Sequence, residues 1–279
     1  MLRVFDERRC ELGEGPHRDE RTGRFWWVDI LGSRALWRAD DDSVGEFALP
    51  GHVGALVPRA AAGHVACLPE GPATVDENGA VTPLASYPSG PPEGPAMRSN
   101  DAKADPVGRL WLGTMAYDET PGAAALYRLE RGGALTTTLT GLTISNGLGW
   151  SPDGRTMYHI DTPTGRVDAY PFDMATGALG ERRTFATIDR GSPDGMCVDA
   201  EGGVWVALWG GGAVLRFTPD GTLDATIEVP TPQVTACAFG GETLVITTAA
   251  VGRPDDPAAG LTYAIEPGYA GPPVDRFAG

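Results

Sequence analysis

Residues 151–161 read SPDGRTMYHID, a tight-turn sequence around Gly154 followed by a stretch of strand-forming residues. The same turn-and-strand pattern recurs at 19–30, 59–70, 105–115, 199–209 and 238–249. Glycine supplies the left-handed backbone of such a turn, and the apolar alternation that follows it, as at Leu110 and Leu112, has the period of a β-strand. The chain is therefore expected to repeat one turn-and-strand unit along its length.

The repeats are evenly spaced. The steps between successive turn glycines are 40, 45, 46, 48 and 38 residues, counted from Gly23, Gly63, Gly108, Gly154, Gly202 and Gly240. A period of about 40 to 50 residues of short antiparallel strands is typical of a β-propeller. We predict an all-β fold, a six-bladed β-propeller that occupies residues 1–279 as one domain, with Leu2–Phe5 pairing near Leu261–Ile265 to close the ring. A β-sandwich is the alternative, but it does not need six equal units.

The composition agrees with this fold and excludes several functions. The 39 glycines and 24 prolines are about twice the usual share, and both residues disfavour helices. The formal net charge is −15 and Lys103 is the only lysine, so neither a nucleic-acid interface nor a basic membrane patch is expected. The sequence shows no signal peptide or membrane span, so we expect a soluble, cytoplasmic protein. A monomer is expected because a closed propeller leaves only short, protected sheet edges.

Common catalytic and nucleotide-binding motifs are absent from the sequence. It contains no G-x-S-x-G, H-E-x-x-H or G-x-x-x-x-G-K pattern, which excludes hydrolase triads and nucleotide sites built on them. The four cysteines lie far apart and are expected to be buried and reduced, with a reactive Cys10 or one disulfide as the alternatives. Of the four histidines, His17 is the best candidate for lining a site.

Four loops place a polar residue at the same point of the repeat. Asn100, Asn146 and Asp194 each lie eight residues before a turn glycine, and Glu14 lies nine residues before one. Such loops gather at one mouth of a propeller's central channel, so these side chains can meet although they are remote in sequence. Glu14, Asn146 and Asp194 offer oxygen donors, which suit Ca²⁺, Mg²⁺ or Mn²⁺ and also accept Zn²⁺ or Fe²⁺. Simple turns are the alternative, because Asn-Gly and Asp-Gly are common turn dipeptides.

The order of these motifs resembles the gluconolactonase and regucalcin family, also called the senescence-marker-protein family. The matching stretches are LGEGPHRDERTGRFWWVDI, RSNDAKADPVGRLWLGTM, ISNGLGWSPDGRTMYHIDTPTGRVDAY, SPDGMCVDAEGGVWVALWGGGAVLRF and QVTACAFGGETLVIT. They cover nearly the whole chain in the family's order. The resemblance implies a six-bladed propeller with one divalent metal ion in its channel and a lactonase activity on a small-molecule sugar lactone.

The resemblance also implies roles for the residues at the channel mouth. Glu14, Asn146 and Asp194 match the family's metal ligands, and Asp194 matches the residue usually assigned as the general base. The implied reaction is hydrolysis of an aldonolactone to the aldonic acid, with the metal polarising the lactone carbonyl and Asp194 activating water. A carboxylate beside a cation is a weak base, so Asp194 either works at the edge of the metal or assists a metal-bound hydroxide.

Other residues are assigned around the substrate by the same resemblance. Arg98 and Asn100 match residues that contact the substrate or a metal-bound water, and Asp101 is a candidate beside them. The acidic substrate-binding position after G-T-M falls on Asp118, with Glu119 as the neighbouring choice, because the spacing here departs from the family's pattern. Lys103 follows the motif and is expected at the solvated surface.

Two other functions are compatible with the same sequence. A propeller hydrolase of other esters or phosphoesters would prefer non-sugar substrates, and a non-enzymatic calcium-binding or scaffold propeller would bind metal without turnover. Trp27, Trp111 and Trp205 are expected to pack within the blades, whereas Trp150 and Trp209 are candidates for lining a pocket. The loop at 86–97, rich in proline and glycine, is either a lid or an exposed connection.

Overall fold

The structure, a computed structural model, describes residues 1–76, 79–88 and 93–279. Over these residues the chain forms 24 β-strands and one 3-10 turn, Thr162–Thr164. The strands assemble into six four-stranded antiparallel sheets, the blades of a β-propeller. The prediction of an all-β, six-bladed propeller is confirmed. No helix in the described ranges is long and apolar enough to cross a membrane.

Each of the first five blades is a four-stranded meander whose first strand lies innermost. Blade 1 contains β2 (Gly13–Asp19), β3 (Arg24–Asp29), β4 (Arg34–Ala39) and β5 (Val44–Ala48). Blade 2 contains β6 (Leu56–Pro58), β7 (His64–Leu68), β8 (Gly71–Val75) and β9 (Val81–Pro83). Blade 3 contains β10 (Met97–Ala104), β11 (Leu110–Ala116), β12 (Ala124–Leu129) and β13 (Leu135–Leu142). Blade 4 contains β14 (Ser145–Trp150), β15 (Thr156–Asp161), β16 (Arg166–Pro171) and β17 (Arg183–Thr187). Blade 5 contains β18 (Ser192–Val198), β19 (Val204–Trp209), β20 (Ala213–Phe217) and β21 (Leu223–Glu228).

The two ends of the chain share the sixth blade. It contains β22 (Val234–Gly240), β23 (Thr243–Thr248), β24 (Thr262–Ile265) and, as its outer strand, β1 (Arg3–Asp6). Arg3 pairs with Ala264 and Val4 with Tyr263. The predicted closure of the ring by Leu2–Phe5 and Leu261–Ile265 is therefore confirmed, and blade 6 needs both ends of the chain to form.

The turns that follow the innermost strands depend on glycine. Gly108 and Gly202, for example, adopt φ angles of 85° and 87°, which side-chain-bearing residues rarely occupy. In blade 6 the left-handed residue is Gly241, with a φ of 61°, whereas Gly240 is the last residue of β22. The prediction of Gly240 as the turn glycine of the sixth repeat is therefore wrong by one residue, because the adjacent glycines Gly240 and Gly241 fit the same sequence pattern.

A buried aspartate braces the innermost strand of two blades. Asp105 follows β10 directly and accepts hydrogen bonds from Arg109 Nε at 2.6 Å and Trp111 Nε1 at 3.0 Å. Asp199 follows β18 and accepts an equivalent bond from Trp205 Nε1 at 2.9 Å. Both carboxylates are fully buried. Since each carboxylate is paired with a guanidinium and an indole, it holds the turn against the next strand without leaving an uncompensated charge.

Aromatic side chains fill the spaces between adjacent blades. Trp27, Trp111 and Trp205 are completely buried, as predicted. The ring of Trp111 meets those of Trp150 and Phe172 edge to face, at centroid distances of 6.0 and 5.9 Å. Such contacts stabilise the packing of one blade on the next through buried area and favourable ring geometry. The four cysteines are also buried and unpaired, as predicted.

Two buried histidines pack against each other between blades 1 and 2. The rings of His17 and His64 meet edge to face at 5.3 Å, and each residue is 7% exposed. Burial lowers the pKa of His17 to about 4 and that of His64 to about 3, because a buried imidazolium loses its hydration. Both rings are therefore neutral at neutral pH.

We expect Asp105→Ala to lower the free energy of unfolding by about 3–5 kcal/mol, because it leaves a buried guanidinium without its partner. That guanidinium belongs to Arg109, which is 5% exposed. The control is Asp40→Ala, which breaks an ion pair with Arg18 whose aspartate side chain is 71% exposed and should cost less than about 1 kcal/mol. Urea unfolding of the three proteins measures both values, and equal losses would contradict the bracing role of Asp105.

We expect acid to destabilise the fold through His64. Below its ordinary pKa of 6.5 the unfolded side chain takes up a proton, whereas the folded side chain does so only near pH 3. Unfolding is therefore favoured progressively as the pH falls through this range. Thermal melts followed by circular dichroism should show a steeper loss of melting temperature between pH 6.5 and 4 in the wild type than in His64→Leu. Equal slopes in the two proteins would mean that His64 is protonated in the native state.

Candidate active site and metal centre

The innermost strands of three successive blades are interrupted at the same level. The pairing of β10 with β11 skips Asn100–Asp101, that of β14 with β15 skips Asn146–Gly147, and that of β18 with β19 skips Asp194–Gly195. Each interruption is a β-bulge in which two residues face one residue of the partner strand, and such bulges re-aim side chains. The first residue of each bulge is one of the predicted site residues.

Glu14 reaches the same level from a slightly different position. The pairing of β2 with β3 skips Gly15–Pro16, so Glu14 lies directly before the bulge and not within it. This offset accounts for its spacing of nine residues from the turn glycine, against eight in the other blades. Its Oε2 accepts a hydrogen bond from the backbone N–H of Gly15 at 3.1 Å, and the residue is 7% exposed.

The glycines of the bulges are required by packing. A Cβ atom on Gly147 would lie 2.7 Å from the backbone oxygen of Asp194, and one on Gly195 would lie 2.8 Å from the backbone oxygen of Thr235. Both distances are overlaps, so glycine allows the inner strands of neighbouring blades to approach. The interpretation of Asn146-Gly147 and Asp194-Gly195 as turn dipeptides is therefore wrong, because both pairs lie inside strands.

Asn146 and Asp194 contact each other from adjacent blades. Asn146 Nδ2 donates hydrogen bonds to Asp194 Oδ1 and, at 3.1 Å, to Thr162 Oγ1. The other amide atom of Asn146, its Oδ1, is buried without a hydrogen-bond partner in the described part of the chain. An unsatisfied buried carbonyl oxygen costs free energy, so this atom is available to a ligand that accepts its lone pairs.

Arg98 and Asn100 form a second polar group beside this pair. Arg98 Nη1 donates to Asn100 Oδ1 and to the backbone oxygen of Ser99, both at 2.8 Å. Asn100 Nδ2 in turn donates to the backbone oxygen of Ser145 at 3.0 Å. Both side chains are buried. The amide of Asn100 is therefore fixed between blades 3 and 4, and it holds the guanidinium in place.

The carboxylates of the site repel one another. Burial raises the pKa of Glu14 well above its ordinary value, and the charges of Asp194 and Asp101 raise it further. Burial also raises the pKa of Asp194, with Asp101 adding to the effect and the hydrogen bond from Asn146 opposing it. Arg98 lowers the pKa of both groups. The raised pKa values mean that these carboxyls keep their protons more readily than usual, and a bound cation would favour their ionised forms.

The donor set fits a hard divalent cation. Glu14 and Asp194 offer carboxylate oxygens, and Asn146 offers the amide oxygen that has no hydrogen-bond partner in residues 1–76, 79–88 and 93–279. Such oxygen ligands suit Ca²⁺ and related ions. Within the ranges 1–76, 79–88 and 93–279, no three side chains of histidine, cysteine, aspartate or glutamate form a metal-binding group. The set therefore depends on the amide of Asn146 as its third member.

The structure places Asp118 differently from the other predicted residues. It lies in an exposed turn after β11, where its carboxylate accepts hydrogen bonds from the backbone N–H of Thr120 at 3.0 Å and from the Thr120 hydroxyl at 2.6 Å. The acidic side chain of this turn whose charge acts on Arg98 is Glu119. Glu119 has a φ of 56°, an uncommon conformation for a residue with a side chain. Burial lowers the pKa of Arg98 and the charge of Glu119 acts to raise it, so Glu119 is a candidate for the substrate-binding position beside Asp118.

Asp101 and Lys103 line the channel below the site. A cavity of about 400 Å³ runs between the inner strands and is lined by both residues, by His17 and by Trp150. The expectation that Lys103 lies at the solvated surface is wrong, because its Nζ donates to two backbone oxygens inside the channel. Burial raises the pKa of Asp101, and the charge of Lys103 opposes this shift.

The sequence also predicts that Trp209 lines a pocket and that the loop at 86–97 is a lid or an exposed connection. Trp209 pairs by its backbone with Gln233 and is not among the residues that line the channel cavity. Residues 89–92 of the loop at 86–97 lie outside the described residues, so its role as a lid stays a prediction.

Ser145 was not singled out by the sequence, although its hydroxyl contacts His159 Nε2 at 2.9 Å and its backbone oxygen accepts a hydrogen bond from Asn100. A serine before Asn-Gly gives no distinguishing signal in one sequence.

Known proteins resemble this chain over most of its length. Regucalcin of Danio rerio is 37% identical over 270 residues, covering 91% of this chain and 90% of that protein. Pentonolactonase XacC of Haloferax volcanii is 36% identical over 266 residues, covering 89% of this chain and 85% of that protein. A crystal structure of regucalcin from Agrobacterium tumefaciens, described as a calcium-binding protein, superposes with a TM-score of 0.92 at 33% identity, over 99% of this chain and 97% of that one.

The family model described as "SMP-30/Gluconolactonase/LRE-like region" matches residues 12–250. This range begins just before Glu14 and includes the bulges of blades 1, 3, 4 and 5. The chain therefore belongs to the SMP-30/gluconolactonase/LRE-like family.

Proposed function

We propose that the protein is a metal-dependent lactonase that hydrolyses a sugar lactone to the corresponding aldonic acid. One observation carries this proposal: the inner-strand bulges bring two buried, mutually repelling carboxylates next to the Arg98–Asn100 pair, together with an amide oxygen that has no hydrogen-bond partner among the described residues. The relatives named regucalcin and pentonolactonase support it at the level of the family.

Glu14, Asn146 and Asp194 would hold the metal through oxygen atoms. Ca²⁺, Mg²⁺, Mn²⁺, Zn²⁺ and Fe²⁺ are all compatible with such a donor set. When bound, a divalent ion supplies Lewis-acid polarisation of the lactone carbonyl. The charge of the ion would also offset the repulsion between Glu14 and Asp194. Both carboxylates would then stay ionised.

Asp194 is the proposed base of the reaction. Its Oδ1 accepts the hydrogen bond from Asn146, which fixes the plane of the carboxylate and leaves Oδ2 to take a proton from water. The water oxygen attacks the carbonyl carbon of the lactone as this proton moves to Asp194. The bond between that carbon and the ring oxygen then breaks, and the proton passes from Asp194 to the ring oxygen. Asp194 is thereby returned to its ionised form.

Arg98 and Asn100 are proposed to orient the sugar. Both hydrogen bonds that Arg98 makes within the described part of the chain use Nη1, so Nε and Nη2 are the donors for substrate hydroxyls. Because Arg98 is itself 7% exposed and held by Asn100, its position is fixed before substrate binds. Such preorganisation avoids the entropic cost of ordering a side chain in the transition state.

We expect Asp194→Asn to lower kcat by about 100-fold or more, which is the usual contribution of a general base. The exposed turn residue Asp220, whose carboxylate contacts Thr218 and Thr222, provides the control variant Asp220→Asn with unchanged kcat. Proton release from glucono-, xylono-, arabinono- and galactonolactone measures the rates. Metal-stripped protein should show only spontaneous hydrolysis until one of the five divalent cations is added.

The same assay contains the results that would contradict the proposal. Turnover of aryl esters or phosphoesters in preference to every lactone would indicate a different hydrolase. Tight metal binding without turnover on any of these substrates would instead favour a calcium-binding propeller that is not an enzyme.

We expect the two acids of the turn after β11 to differ in their effect on substrate binding. Glu119→Gln should raise the KM for the lactone about tenfold, the effect of losing a hydrogen bond to a charged group. Asp118→Asn should leave KM within about twofold, because its carboxylate faces Thr120. Initial rates over a range of lactone concentration separate the two variants, and the opposite ranking would restore Asp118 as the substrate-binding residue.

A further inference from the structure

Lys103, the only lysine of the chain, joins three inner strands. It lies in β10, and its Nζ donates hydrogen bonds to the backbone oxygen of Leu148 in β14 at 2.9 Å and to that of Met196 in β18 at 2.8 Å. Blades 3, 4 and 5 are successive in the ring, so the ammonium reaches from one blade to the next two. These two acceptors are 45 and 93 residues away along the chain.

The two acceptor carbonyls have a special position in their strands. Leu148 is the first residue of β14 to pair again after the Asn146–Gly147 bulge, and Met196 is the first of β18 to pair again after the Asp194–Gly195 bulge. Each acceptor thus follows a proposed metal ligand by two residues. Lys103 itself lies in the strand that carries Asn100, so its side chain connects β10 to the backbones of the bulged strands β14 and β18.

The chemistry of the channel suits an ammonium group at this point. An ammonium has three donors and no acceptor, and two of the donors are used by carbonyls that face the channel. Lys103 also lies near two carboxylates that its charge stabilises, those of Asp101 and Asp275. Hydrogen bonds from a charged donor are stronger than neutral ones, and they resist separation of the strands below the site.

We propose that Lys103 is a positioning residue that sets the distance between Asn146 and Asp194, and thereby the affinity of the site for its metal. It acts through the backbones of Leu148 and Met196 and needs no contact with metal or lactone. The inference rests on the proposed function in naming Asn146 and Asp194 as metal ligands. Metal binding and the orientation of Asp194 would then depend also on Lys103, which lies below the site.

The test compares Lys103→Met with the wild type and with Val274→Ala. Methionine keeps the length of the side chain and suits the apolar walls but donates no hydrogen bond. Val274 lines the same cavity from the C-terminal segment and provides the control. Calorimetric titration of the metal-free proteins with Ca²⁺ and Mn²⁺ gives metal affinity, and lactone hydrolysis at saturating metal gives kcat and KM.

We expect Lys103→Met to bind metal at least tenfold more weakly and to lose at least tenfold in kcat, with KM within about threefold, while Val274→Ala matches the wild type. A variant that melts earlier but keeps metal affinity and kcat within twofold would overturn the proposal, since Lys103 would then only stabilise the fold. If the wild type binds metal but hydrolyses no lactone, the proposed function fails and the affinity comparison still decides the role of Lys103.

A second measurement on the wild type does not depend on the folding of the variant. Labelling with ¹⁵N-lysine gives a single Nζ resonance, because the chain has one lysine. A hydrogen-bonded ammonium inside the channel should be observable at neutral pH and should shift when Ca²⁺ is added. A resonance broadened by rapid exchange with water, or one that metal leaves unchanged, would overturn the proposal.

Discussion

At one level of the ring, the inner strands of blades 3, 4 and 5 leave their hydrogen-bond ladders for two residues, and the site depends on this interruption. In a regular strand the side chains alternate between two faces. A bulge breaks the alternation, so Asn100, Asn146 and Asp194 come together at the channel mouth. Gly147 and Gly195 make the bulges possible, because the strands are too close for a side chain at either position.

The buried carboxylates of the molecule are of two kinds. One kind stabilises the fold through ion pairs, and the other belongs to the candidate site. Asp105 and Asp199 each face a guanidinium and an indole N–H, so their charge is compensated within the protein. Glu14 and Asp194 instead have each other and Asp101 as neighbours, and their pKa values are raised by burial and by mutual repulsion. Groups whose pKa values are raised by burial and by neighbouring like charges are typical of functional sites.

The two cations of the site region complement each other. Arg98 lies at the mouth, where it lowers the pKa of Glu14 and Asp194 and is held by Asn100. Lys103 lies below the bulges and binds the backbone carbonyls that follow them. Neither cancels the effect of burial and of like charges on Glu14 and Asp194, whose pKa values remain raised, so a bound cation would favour their ionised forms. Sites of this kind lower the stability of the fold in exchange for function.

The sequence by itself determined the repeats, the closure of the ring by its two ends and the common phase of Glu14, Asn100, Asn146 and Asp194, because all three follow from local turn chemistry and regular spacing. Tertiary structure alone showed that the charge of Glu119 acts on Arg98, and it corrected the placement of Lys103. The turn after β11 directs the carboxylate of Asp118 to Thr120, and the charge of Glu119 acts to raise the pKa of Arg98 against the effect of burial. The partners of Lys103 are backbone atoms of other blades, 45 and 93 residues away. Every residue has a backbone carbonyl, so the sequence does not mark which ones accept hydrogen bonds from Lys103. Only the assembled ring shows which carbonyls lie within reach of its ammonium group.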